Sequence, residues 1–191
     1  MVEFDRFSIT IKGDPPIRKT AVNMENSIPN LMQHDRIQYI LNNIPALLRK
    51  FSPEDLRGFL LSGELVLYDR DQIILKESSD RMDEAWLITD GRVSIWKDGV
   101  EVAQQVPGDF IGETFLFSKG TRSATVKSDT EVAMLRFERD NVLQFFRNRP
   151  ERVFKIFIMN LLEIQQQKIT SMNNQVSRLK KKLLENQPES E

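Results

Sequence analysis

The sequence predicts an α+β fold in which an antiparallel β-roll, a jelly roll of about eight short strands, is flanked by helices and followed by a long C-terminal helix. Three observations carry this expectation. Short runs rich in Val, Ile, Leu and Trp recur between Leu65 and Phe137 with turn residues between them. A helix start is spelled out at Ser52-Pro53-Glu54-Asp55, and from Pro150 onward the apolar spacing is helical and continues to Leu183.

With 191 residues and 40% hydrophobic content, the chain suits one globular domain with appendages. Its divisions are expected at residues 1–44 (an arm and a helix), 45–149 (the roll) and 150–191 (the long helix with a coiled-coil end). The arm alternates weakly at Phe7, Ile9 and Ile11, then breaks at Asp14-Pro15-Pro16 and again around Asn26 to Asn30. Ile37, Ile40, Leu41 and Ile44 have amphipathic spacing, and Pro45 stops or kinks that helix. The next helix has a hydroxyl at its N-cap, a proline at its first position and two carboxylates in its first turn. Strands are expected at 65–69, 72–76, 85–89, 92–96, 100–106, 122–128 and 131–137. Asp90-Gly91 and Asp98-Gly99 mark hairpins, because glycine takes positive φ cheaply. Trp86 and Trp96 fall in strands, where packing between sheets is their ordinary use. A further helix is expected over 138–147.

Composition narrows the function. Charged residues are 29% of the chain and leave a formal net charge of −1, so no global basic field marks a nucleic-acid or anionic-membrane partner. The absence of cysteine excludes thiolate nucleophiles, cysteine metal sites and disulfides, and a single histidine, His34, removes most imidazole chemistry. The N-terminus lacks the basic start and apolar run of a signal peptide, and no stretch approaches the roughly 18 apolar residues of a membrane span. A cytoplasmic location without membrane contact is expected.

Chemistry concentrates between Pro107 and Thr125. Pro107-Gly108-Asp109-Phe110-Ile111-Gly112-Glu113-Thr114-Phe115-Leu116-Phe117 reads as a turn and then a single helical turn, followed after Lys119-Gly120 by Thr121-Arg122-Ser123-Ala124-Thr125. A glycine at the edge of a short helix exposes backbone N–H groups that can seat a phosphate, and Arg122 could complete that seat. Glu113 cannot bind an anion, but it can accept hydrogen bonds from a sugar hydroxyl. The pair suits a sugar phosphate.

Gly108-Asp109-Phe110-Ile111-Gly112-Glu113, the nine-residue step from Glu113 to Arg122, and Ser123-Ala124-Thr125 resemble the phosphate-binding cassette of the cyclic nucleotide-binding domains, the effector domains of catabolite activator proteins and cyclic AMP receptors. The resemblance spans roughly residues 45 to 168. It implies that Glu113 holds the ribose 2′-hydroxyl, that Arg122 pairs with the cyclic phosphate, and that the Gly112-Glu113-Thr114-Phe115 stretch contacts phosphate oxygens. Ser123 would touch the phosphate or a guanine amino group, and Gln167 would reach the base from the long helix. The implied ligand is cyclic AMP or cyclic GMP, with no other cofactor and no metal. Where the family carries turn glycines, this chain has Asp71 and Ser78 or Ser79, so altered loop geometry is expected there; Thr121 replaces a frequent proline.

The long helix ends in Ile169, Met172, Val176, Leu179 and Leu183, stepping by three, four, three and four, which is an a/d seam suited to a homodimer. Arg178-Leu179-Lys180-Lys181-Lys182 answers the helix dipole. Relatives that regulate transcription place a helix-turn-helix after this helix, whereas this sequence runs out at Asn186 to Glu191, so direct DNA binding is not expected. The expected function is a cyclic nucleotide sensor signalling through a dimeric helix to a partner the residues do not name. The alternatives are an adaptor whose roll has lost its ligand, with Glu113 and Arg122 as an ordinary ion pair, or the sensory part of a larger protein. An enzyme using Glu113 as general base lacks a nucleophile, a metal cluster and a second acid.

Overall fold

The computed structural model describes residues 10–11, 40, 43–78, 83–117 and 120–185. In chain order the elements are β1 (Thr10–Ile11), a 3-10 turn (Ala46–Leu48), α1 (Pro53–Leu60), β2 (Glu64–Tyr68), β3 (Ile73–Leu75), β4 (Glu84–Asp90) and β5 (Val93–Lys97). They continue with β6 (Val100–Gln105), β7 (Phe110–Ile111), β8 (Thr125–Ser128), β9 (Val132–Glu138), α2 (Arg139–Arg147) and α3 (Glu151–Glu185). Two sheets form the roll, one ordered β1-β2-β9-β4-β7 and the other β3-β8-β5-β6. All pairings are antiparallel except the edge pair of β1 with β2, which is parallel and sets Thr10 against Val66 and Ile11 against Leu67.

Alternation along β4 and β9 builds two cores from one sheet. Trp86, Ile88, Val132 and Met134 point between the sheets, where they meet Val66, Tyr68, Val93 and Val126. Ala85, Leu87, Leu135 and Phe137 point the other way, onto Leu56, Phe59, Phe146, Val153, Phe157 and Leu161 of the helices. Phe59 centres that second core, with ring centroids of Phe137 and Phe157 at 4.9 and 6.0 Å. Trp86 is therefore a packing residue, 2% exposed, as its position in a strand suggested.

The seven expected strands all form, with ends shifted by one to three residues; the largest shift is in β8, which starts at Thr125 instead of 122. One strand, β7, was not foreseen. The helix start at Ser52 forms, with the Ser52 hydroxyl accepting from the Asp55 amide at 3.1 Å. The Asp98-Gly99 pair turns with both residues at positive φ, 50° and 77°. At Asp71 and Ser78, where altered loop geometry was expected in place of turn glycines, the backbone takes the left-handed conformation that glycine favours, φ 68° and 61°. That conformation costs an ordinary side chain about 1–2 kcal/mol. Hydrogen bonds from Asp71 N to Ser128 O (2.8 Å) and from Ser78 N to Arg122 O (2.9 Å) hold it. Ile40 is helical and buried, whereas Ile37 and Leu41 of its expected helix, Phe7 and Ile9 of the arm, the breaks at 14–16 and 26–30, Ser79 and the tail 186–191 lie outside the described residues.

Candidate functional site: the cassette between β6 and β8

The cassette opens with a tight turn that fastens it to β4. The Val106 amide donates to the Asp109 carboxylate (3.0 Å), Gly108 N donates to Ile88 O (2.9 Å), and Ile88 N donates to Asp109 O (3.0 Å). Phe110 and Ile111 then pair with Leu87 and Trp86 as β7, which leaves Gly112 at the sheet edge. Beyond it the expected helical turn is two consecutive turns closed by Phe115 N to Gly112 O and Phe117 N to Thr114 O, both 2.9 Å. Phe115 anchors them: its ring is 1% exposed in the helix-facing core, and its carbonyl accepts from Arg139 Nε at 2.7 Å. Its amide is used in the turn, so the Phe115 side chain and N–H both serve the cassette's own structure.

Glycine is favoured at position 112 for two reasons. Its φ is +71°, and a Cβ there would stand 2.5 Å from Arg122 Nη1 and 3.1 Å from Glu84 O. The guanidinium thus lies against the bare backbone of the residue that precedes Glu113. Arg122 is 5% exposed and donates through Nη2 to Glu84 O at 2.9 Å. Glu113 is 7% exposed. Sequence positions nine apart therefore converge: β4 supplies the carbonyl that orients the arginine, and the Gly112 turn supplies the carboxylate. Thr114 is half-buried, and Ser123 is exposed beside Arg122 at the rim.

From α3 the cassette is met by Gln165 and Lys168, next to Gln167, whose expected contact is with a base. Glu113 Oε1 accepts from Gln165 Nε2 at 3.0 Å and pairs with the Lys168 ammonium, while Gln167 is exposed. Residues 165 and 168 are three apart and share a helix face, whereas 167 is about 200° round from 165. A carboxylate on the roll opposite the i,i+3 pair Gln165 and Lys168 was the signal that could have found these contacts.

A cleft of about 550 Å³ lies away from the cassette, lined by Gly58, Ser62, Glu64, Arg136, Glu138 and Asn141, and it shares no residue with it. Its Arg136 is bracketed by Glu64, by Glu84 at 3.3 Å and by Glu138 at 3.2 Å. Burial would lower its pKa, but the hydrogen bond to Glu64 and the charges of Glu84 and Glu138 outweigh burial and hold it above the ordinary value. Among the described residues no cluster of three or more His, Asp or Glu could hold a metal, and no helix is long and apolar enough to cross a membrane.

Residues 65–149 match the family model described as the cyclic nucleotide-binding domain. Among solved structures, a cyclic nucleotide-binding domain from Methylobacillus flagellatus KT is similar with a TM-score of 0.65 and 24% identity, over 77% of this chain and 84% of that one. The N-terminal domain of a transcriptional regulator from Streptomyces coelicolor A3(2) has a TM-score of 0.59 and 25% identity, over 65% and 91%. The catabolite activator protein of Thermus thermophilus has a TM-score of 0.61 and 21% identity over 71% of this chain, which spans 63% of that protein. The matched residues run from β2 to the end of α2 and include the cassette, so this part of the chain is similar to the cyclic nucleotide-binding domain family.

Proposed function

We propose that the chain is a cyclic nucleotide sensor that binds its ligand at the cassette without turning it over. The observation that carries this is the burial of a carboxylate and a guanidinium beside one left-handed glycine, in residues that match the family model. Glu113 takes the ribose 2′-hydroxyl, and Arg122 takes the cyclic phosphate together with the backbone of Gly112, Glu113 and Thr114. Ser123, at the rim, is placed for the phosphate or a guanine amino group. Signal leaves through α3, whose Ile169, Met172, Val176, Leu179 and Leu183 are 49–68% exposed and form the stripe of a homodimeric coiled coil.

Two measurements test this. Thermal melting with cyclic AMP, with cyclic GMP and with neither reads both binding and base preference, since a ligand at one hundred times its Kd adds about 2.7 kcal/mol of stability. Arg122→Leu removes the fork that offsets desolvation of the phosphate, and losing one partner of a buried charge pair costs about 2–5 kcal/mol, or roughly thirty-fold or more in affinity. Its fold should persist, because replacing a buried cation by an apolar side chain removes a desolvation penalty. A folded leucine variant that binds both nucleotides as the parent does would place the ligand elsewhere.

A further inference from the structure

The chain has no cysteine, so the sulfur it offers to an oxidant is thioether sulfur, on seven methionines. Three of these lie among the described residues. Met134 is fully buried between the sheets, whereas Met159 and Met172 stand 66% and 63% exposed on α3. The cassette residues 107–125 contain no methionine. The two exposed sulfurs differ in their place on the helix. In Ile169, Met172, Val176, Leu179 and Leu183 the steps of three and four put Met172 and Leu179 at d and the other three at a. Carried back by the same steps, the stripe falls on Gln165, Leu162 and Ile158, and it passes beside Met159.

We propose that Met172 is a site of oxidation by peroxide whose sulfoxide separates the coiled coil, an input to the output helix that bypasses the cassette. The proposal rests on the homodimeric seam of the preceding reading. In the oxidation the thioether sulfur attacks one oxygen of hydrogen peroxide. The S–O bond forms, the O–O bond breaks, and the leaving oxygen departs as water with both protons. Sulfur is oxidised by two electrons and the peroxide is reduced. A flexible apolar side chain thereby becomes a polar one with a hydrogen-bond acceptor. At a d position that acceptor is buried against its symmetry mate, and the stripe neighbours Ile169, Val176 and Leu179 offer it no side-chain donor. The stripe has five residues per helix, so one spoiled d layer weakens much of it. Leucine, the residue that favours d in a two-stranded coil, would be inert to peroxide. Oxidation runs through the separated chain, where the sulfur meets water, so its rate falls as protein concentration rises.

The test treats the full chain with hydrogen peroxide, follows each methionine by peptide mass mapping, and reads particle mass by light scattering at low micromolar concentration. The parent is compared with Met172→Leu and Met159→Leu. The parent and Met159→Leu are expected to fall from twice the chain mass to the chain mass as Met172 gains one oxygen. The dimer dissociation constant should rise about ten-fold or more. Treatment with methionine sulfoxide reductases for both epimers should restore the pair. Met172→Leu should keep its mass under the same peroxide. Three results overturn the site while leaving the coiled coil in place: a parent that stays paired with oxygen mapped to Met172, a Met172 left unmodified while Met159 is oxidised, or a Met172→Leu variant that dissociates as the parent does. An untreated parent at the chain mass removes the coiled coil, and the oxidation site falls with it.

Discussion

Between Glu151 and Ile164, α3 buries Val153, Phe157, Asn160 and Leu161, whereas from Gln166 to Glu185 all of its residues are exposed although five apolar side chains repeat there at a/d spacing. The two halves differ both in apolar content, nine of 14 residues against six of 20, and in its angular spread. The first half carries Val153, Phe154, Ile156, Phe157, Ile158, Met159, Leu161, Leu162 and Ile164, a face wide enough to lie across a sheet. The second offers one narrow stripe, too thin to cover a roll and suited to another helix. At 1.5 Å per residue that stripe projects about 30 Å from the domain. Glu113 meets α3 at the junction of the two halves.

If the first half is structural, the largest effect on stability comes from emptying its anchor. Phe157 is fully buried between Phe59 (6.0 Å) and Phe146 (5.1 Å), and Phe157→Ala should destabilise the domain by about 3–5 kcal/mol in urea titration. A loss below about 1 kcal/mol would mean that the helix is not integral to the core. Asn160 comes next. Its amide donates to Leu47 O at 3.1 Å and Arg49 O at 2.7 Å, joining α3 to the 3-10 turn before α1. Asn160→Ala leaves the buried Leu47 carbonyl and the part-buried Arg49 carbonyl short of a donor and should cost about 1–3 kcal/mol, with faster hydrogen exchange confined first to residues 46–49 and 157–164. Exchange that stays at the parent's rate there would show that the hydrogen bonds are not what fixes the helix.

The same contrast explains what could be read from residues alone. Strands of five to seven residues with both faces apolar, such as β4 and β9, repeat their signal often enough to be seen, and the Asp98-Gly99 turn announces itself chemically. β7 has two residues, which is too few for a period of two to appear, so Phe110 and Ile111 read as part of a turn. Within the cassette, Gly112, Glu113 and Arg122 were legible because one short stretch holds them and their chemistry is complementary. The Phe115 anchor was not, since an aromatic in a functional motif does not show whether it faces a ligand or a core. The contacts of Gln165 and Lys168 with Glu113 were not legible because a single residue turns a helix by about 100°, and sequence distance from Pro150 does not fix phase to that precision. The left-handed Asp71 and Ser78 were invisible for another reason: the hydrogen bonds that hold them come from Ser128 and Arg122, more than 40 residues away.

The smallest expected effect on the domain is also the sharpest test of the second half. Val176 stands 49% exposed in the single chain, so Val176→Asp should change the unfolding free energy of the roll by no more than about 0.5 kcal/mol. Valine and aspartate also differ little in helix propensity, which leaves the helix itself intact. In a two-stranded seam, however, the new carboxylate faces its symmetry mate with both charges withdrawn from water, and the pair cannot be neutralised without cost. Light scattering at low micromolar concentration should therefore show the parent at twice the chain mass and the aspartate variant at the chain mass. Leu184→Asp provides the control, because Leu184 is 70% exposed but one residue off the stripe, and that variant should keep the parent's mass. A parent of single-chain mass, or a Val176→Asp variant that stays paired, would remove the coiled coil and leave the projecting half of α3 for a different partner.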